Sequence, residues 1–123
     1  MKTVVVLGAS QKPDRYAFMA MERLQKHGYK AIPVNPALTE ILGEQCYPSI
    51  RDVPHPIDTV TMYLSAKRST PLIDEIIHAK PRRIIFNPGA ENDALVKAAE
   101  DAGIEVVFGC TLVMLGAGTF EGL

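Results

Sequence analysis

Val4-Val5-Val6-Leu7 runs straight into Gly8-Ala9-Ser10-Gln11-Lys12-Pro13-Asp14, and a stretch of helical period begins near Tyr16. An apolar β-branched strand, a tight polar turn with glycine, then a helix is the opening of an α/β fold of the nucleotide-binding kind. The turn and the helix N-terminus leave backbone N–H groups without intrahelical partners, free to face a phosphate. The stretch therefore points to an anionic, phosphate-bearing ligand. It departs from the dinucleotide fingerprint, which would carry glycine where Ser10 and Pro13 stand.

Working outward, apolar runs of strand length alternate with stretches of helical period, the pattern of parallel strands joined by crossovers with helices on both faces. Val4 to Leu7, Ala31 to Val34, Thr59 to Tyr63, Ile84 to Phe86 and Val106 to Phe108 read as five buried strands, rich in Val and Ile as burial on two sides requires. The expected architecture is a Rossmann-like α/β three-layer sandwich whose parallel sheet of about five strands is ordered 3-2-1-4-5. A helix is expected from Tyr16 to His27, with Ala17, Met21 and Leu24 on one stripe and Gly28 as its stop. A second is expected from Thr70 to Ala79, with Thr70 as N-cap and Pro71 at its first position. A third starts at Asn92 as cap, buries Leu95, Val96, Ala98 and Ala99, and ends at Gly103; a short helical turn covers Ser49 to Val53. The tail from Cys110 to Leu123 is apolar at Leu112 to Leu115 and then carries Gly116 and Gly118, so it reads either as an extra edge strand or as a surface against a second copy, making a homodimer.

With 123 residues, 47% of them hydrophobic, the chain has material for one domain, residues 1–123, with a real core. A formal net charge of −1 with mixed signs gives no electrostatic footprint for a nucleic acid. Cys46 and Cys110 lie far apart without C-x-x-C spacing, which suits neither a disulfide scaffold nor a zinc site. No apolar run approaches the roughly 18 residues that would span a bilayer, so a cytoplasmic protein without a membrane partner is expected.

In an open parallel sheet, ligands sit beyond the carboxyl ends of the strands. The candidates there are Gly8, Ala9, Ser10, Lys12 and Arg15 after the first strand and Asn35-Pro36 after the second. Tyr63, Leu64 and Ser65 follow the third, and Asn87, Pro88 and Gly89 the fourth. After the second strand an NAD site needs a carboxylate for the ribose hydroxyls, and this chain has Asn35. A neutral amide near Lys12, Arg15 or Lys30 tolerates a phosphorylated ribose, so coenzyme A or NADP fits better than NAD.

Val6-Leu7-Gly8-Ala9-Ser10, Lys12-Pro13, Ile32-Pro33-Val34-Asn35-Pro36, Gly43, Tyr47-Pro48-Ser49 and Asn87-Pro88-Gly89-Ala90-Glu91-Asn92, in this order, resemble the small stand-alone CoA-binding domain proteins of bacteria. Through them the chain is similar to the N-terminal CoA-binding domain of the succinyl-CoA synthetase alpha subunit. The resemblance implies a small-molecule ligand, coenzyme A or an acyl-CoA, with NADP a poorer fit. It implies that Gly8, Ala9 and Ser10 hold the pyrophosphate with Lys12 and Arg15 as charge partners, and that Pro33, Asn35 and Pro36 flank the adenosine. Tyr63, Leu64 and Ser65 would then line the crevice, and Asn87, Pro88 and Gly89 would face the pantetheine arm. Related chains often carry a basic residue after the Asn-Pro pair; this one has Ala37-Leu38-Thr39.

No metal-ligand spacing and no nucleophile–base set is legible, so no catalytic residue is assigned. His27 and His78 fall at helix C-termini, where structural roles suffice. Cys110, at the crevice edge, reads as packing, and Glu91 and Glu121 are the remaining carboxylates to watch. The alternatives are an NAD(P)-binding oxidoreductase or redox-sensing module in the same crevice, and a scaffolding module whose bound CoA is structural.

Overall fold

The computed structural model describes residues 2–121; Met1, Gly122 and Leu123, the last two within the tail considered above, lie outside them. Strands β1 (Thr3–Leu7), β2 (Lys30–Val34), β5 (Thr59–Met62), β6 (Arg83–Phe86) and β7 (Glu105–Phe108) form one five-stranded sheet in the order β2-β1-β5-β6-β7. All four pairings are parallel. A short hairpin, β3 (Glu40–Ile41) and β4 (Glu44–Gln45), turns at Leu42-Gly43 outside this sheet.

The fold class is the expected Rossmann-like one, but the third of the five sheet strands is placed differently. It lies against the first, Val5 opposite Val60, instead of beyond the second. The outer edge of β2 is already taken: Tyr47 donates its N–H to the Pro33 carbonyl, and Asn35 donates its own to Tyr47. Pro33 itself lacks the N–H that an inner strand would need on that side. The resulting order makes β1 and β5 the pair at which the chain reverses direction across the sheet, the switch point where such sheets bind ligands.

On one face, α1 (Tyr16–Lys26) and α5 (Thr111–Ala117) cover Val4, Val6, Ala31 and Ile85. Helix α1 has no side-chain cap and no acidic residue in its first turn. Packing holds it instead: Met21 and Leu24 are wholly buried, and burying each such side chain is worth about 1.5–3 kcal/mol. On the other face, the 3-10 turn Ile50–Asp52, α3 (Ile73–His78) and α4 (Asp93–Asp101) cover Val5, Leu7, Val60, Met62, Ile84 and Phe86. Asn92 caps α4 as expected, its side chain accepting from the Leu95 N–H, while Val96 and Ala98 stay only partly covered.

Two expectations about helices change. The segment after β5 becomes helical at Ala66, as α2 (Ala66–Ser69), tightens to a 3-10 turn over Thr70–Leu72, and resumes as α3. Thr70 is no N-cap; its hydroxyl donates back to the Ala66 carbonyl, and Pro71, which has no N–H to give, marks an interruption instead of a start. The tail is not the edge strand that is one of its two expected forms, and Val113 within it stays 66% exposed. It forms α5, stopped by Gly118, and its Leu115 and Phe120 are buried in the chain's own core.

At the amino ends of the strands, Phe120 packs edge-on against Tyr29 at 5.0 Å and lies 4.7 Å from the buried Arg83 guanidinium. Arg83 donates to the Phe120 carbonyl at 2.7 Å and to Thr59 Oγ1 at 3.1 Å. Glu121, one of the carboxylates singled out above, accepts from Lys2 at 2.7 Å and from the Tyr29 hydroxyl. No helix among the described residues is long and apolar enough to cross a membrane.

Candidate functional site

At the carboxyl ends of β1 and β5 a crevice of about 790 Å³ opens. Of the residues expected there, Gly8, Ala9, Ser10, Lys12, Arg15, Asn35, Pro36, Tyr63, Leu64 and Pro88 line it. Gly8 has φ of +90°, and a Cβ there would stand 2.9 Å from Leu64 Cδ2 and 3.1 Å from the Tyr63 carbonyl carbon. Glycine is what allows the first turn and the segment after β5 to touch.

The expectation about the turn's amides needs sharpening. Gly8 and Ala9 both donate to the Val34 carbonyl, at 3.1 and 3.2 Å, so neither N–H is available to a ligand. The Lys12 N–H goes to Ser10 Oγ at 3.1 Å. Among the described residues, the amides of Ser10, Gln11, Tyr16 and Ala17 have no protein acceptor. They lie in the turn and the first turn of α1, beside Lys12 and Arg15, both exposed. The amide donors without protein acceptors therefore sit one step further along the turn than the glycine.

Four expected residues are not in the crevice wall. Pro33 is buried within β2, and Ser65 is exposed at the start of α2. Gly89 donates to Glu91 Oε1 at 3.1 Å in its own loop. Asn87 is buried and fully engaged: its amide donates to Thr61 Oγ1 at 2.8 Å and to the Met62 carbonyl at 2.9 Å, and its oxygen accepts from the Thr111 N–H at 2.9 Å. It ties β5, β6 and α5 together. Asn35 does reach the crevice, but its amide donates to the Ala9 carbonyl and its oxygen accepts from the Ala37 N–H, both at 2.8 Å. Lys30 stands at the far end of β2, paired with Glu44 at 3.0 Å.

Tyr63 lines the crevice, and its hydroxyl is buried with no hydrogen-bond partner. Burial pushes this phenol up to about 12, against the weaker pull of the nearby Thr61 and Thr111 hydroxyls. Cys110 is half-buried outside the crevice wall; Cys46 is buried, and that burial pushes its thiol up. Both cysteines are free. Among the described residues no group of His, Cys, Asp and Glu side chains is placed to hold a metal ion.

The crevice also contains residues that sequence reasoning missed. Tyr16 lines it while remaining 70% exposed. Arg68, from α2, adds a third cation, and Pro48, Ser49 and Leu72 close the side opposite α1. Glu75, from α3, brings a carboxylate. The Ser49 hydroxyl donates to its Oε2 at 2.6 Å while accepting from the Arg51 N–H at 3.1 Å. The chain has Asn35 and no acid directly after the second strand, yet the crevice wall does contain a carboxylate. No local motif marks Arg68 or Glu75; tertiary structure alone brings them in.

Known proteins bear on this geometry. The family model described as "CoA binding domain" matches residues 2–116. An uncharacterized protein of known crystal structure superposes with a TM-score of 0.91 at 45% identity, covering 98% of each chain. The uncharacterized protein YneT of Bacillus subtilis is 27% identical over 106 residues, 86% of this chain and 78% of that one. The ADP-forming acetate–CoA ligase I of Archaeoglobus fulgidus is 32% identical over 116 residues, and the chain spans only 17% of that enzyme's length. A match that runs from the first strand to the helix behind the crevice, over a sheet of this topology, makes the chain a member of the CoA-binding domain family.

Proposed function

We propose that the chain, working as a single domain of the cytoplasm, binds coenzyme A or an acyl-CoA in the crevice between the ends of β1 and β5 and performs no chemistry of its own. The observation that carries this reading is the set of unspent amides at Ser10, Gln11, Tyr16 and Ala17, flanked by Lys12 and Arg15, with Arg68 across the crevice. A diphosphate carries acceptors and negative charge, and a helix N-terminus supplies donors and a positive dipole. The adenosine would lie toward Pro36, Ala37 and Pro48, and the pantetheine arm toward Leu64 and Pro88. Family membership supports the same ligand class. The similarity to a ligase in which this region is 17% of the length supports a binding role, with chemistry carried elsewhere.

Thermal unfolding with CoA, NADP and NAD tests the reading. A ligand at about a hundred times its dissociation constant stabilises the folded state by roughly 2.7 kcal/mol. CoA is expected to give the largest shift in Tm. Ser10→Asp, which keeps an acceptor for the Lys12 N–H but adds a negative charge, is expected to abolish it. Equal shifts from all three nucleotides, or none, would overturn the proposal.

A further inference from the structure

The end of the crevice toward which the adenosine is proposed to lie carries a carboxylate, Glu75. Glu75 and Ser49 both line the crevice, and Ser49 follows Pro48 on the side where Asn35, Pro36 and Ala37 close the end of β2. The Ser49 hydroxyl hydrogen is committed to Glu75 Oε2, which fixes the carboxylate in place. Glu75 takes part in no ion pair among the described residues. Its Oε1 has no protein donor there either. No basic residue follows Asn35-Pro36, and Lys30 is neutralised by Glu44 at the opposite end of β2. The three crevice cations, Lys12, Arg15 and Arg68, belong to the turn after β1 and to α2, not to the segment that closes this end.

A carboxylate accepts hydrogen bonds from a ribose diol and repels a phosphate monoester of like charge. We infer that Glu75, held by Ser49, makes this end of the crevice a site for an unphosphorylated ribose, so that the chain binds an adenosine diphosphate with a free 2′,3′-diol more tightly than its ribose-phosphorylated form. The inference rests on the CoA reading. CoA still enters through its diphosphate and pantetheine arm, and its 3′-phosphate weakens the complex instead of strengthening it. In the usual dinucleotide site the acid stands after the second strand; here α3 would deliver it from the other side of the crevice.

Isothermal titration with CoA and dephospho-CoA, which differ only in the 3′-phosphate, tests this directly. The wild-type chain is expected to bind dephospho-CoA at least about fivefold more tightly, a preference that shrinks as salt screens the repulsion. Glu75→Gln is expected to bring the ratio to about one by tightening CoA, and Ser49→Ala, which frees the carboxylate to turn away, to lower it partway. Tighter binding of CoA by the wild type overturns the inference and leaves the CoA reading standing, as does a preference for dephospho-CoA that Glu75→Gln leaves unchanged. Failure of both ligands to bind overturns the CoA reading itself, and the inference with it.

Discussion

Replacing Gly8 by alanine puts a Cβ on a residue whose φ is +90°, against Leu64 Cδ2 at 2.9 Å, Leu64 Cγ at 3.0 Å and the Tyr63 carbonyl carbon at 3.1 Å. Two costs follow. A left-handed backbone costs an L-residue about 1–2 kcal/mol. Overpacking costs about 1–3 kcal/mol more, because the Leu64 side chain can swing aside whereas the Tyr63 backbone is held by its N–H bond to the Leu7 carbonyl. The sum is about 2–5 kcal/mol, a large share of a typical domain's 5–15 kcal/mol. Gly28 supplies an internal control: its φ is +85°, and an added Cβ would meet nothing within 4 Å. Gly28→Ala should therefore show the backbone cost alone, about 1–2 kcal/mol. Urea unfolding of the two variants beside the wild type measures the difference. If Gly8→Ala is no more destabilising than Gly28→Ala, the argument that glycine is needed for contact between the two segments is wrong.

Three further outcomes are expected. Asn87→Leu keeps the volume but leaves the buried Thr111 N–H and Met62 carbonyl without partners; at about 1–3 kcal/mol for each such group, urea unfolding should show a loss of about 3–5 kcal/mol, and a loss below about 1 kcal/mol would contradict the network. Burial pushes the Asp58 carboxyl up, but hydrogen bonds from Arg82 and Thr59 outweigh it and hold the group below its ordinary value. The stability this contributes is complete above the unfolded value, near pH 3.9, and disappears as pH falls through the lower folded value. Asp58→Asn should therefore lose less stability than the wild type between pH 5 and about pH 3, and equal acid sensitivity would count against the ion pair with Arg82. Phe120→Ala should cost about 3–5 kcal/mol in the same unfolding assay, because the ring is 3% exposed and covers Arg83; near-wild-type stability would mean that the tail does not seal this core.

The strands and helix ends were legible because each is set locally. Five apolar runs, the stop at Gly28 and the cap at Asn92 fall where hydrophobic pattern and capping chemistry place them. Strand order is a tertiary property, yet Pro33 carried a signal, since proline in a strand argues for a sheet edge and the expected order put that strand inside. The same residue type misled at Pro71, where a proline that interrupts a helical segment looks in sequence like one that starts it. The tail was obscured by Gly116 and Gly118, because a helix of seven residues ending in a glycine cap leaves little periodic pattern. At the site, the turns were found but the orientation of amide side chains was not. Asn35 and Asn87 look alike in sequence, and only packing makes Asn87 a buried tie and Asn35 a brace between two turns. Glu75 and Arg68 belong to no motif.

The bonds from Gly8 and Ala9 to the Val34 carbonyl, and from the Asn35 amide to the Ala9 carbonyl, join two loops that would otherwise fluctuate separately. The ordering entropy of this entrance is thus met during folding instead of at each encounter, which is how preorganisation raises affinity. Variants that alter contacts deeper in the crevice should then change mainly how long a ligand stays, while the rate of arrival stays nearly constant.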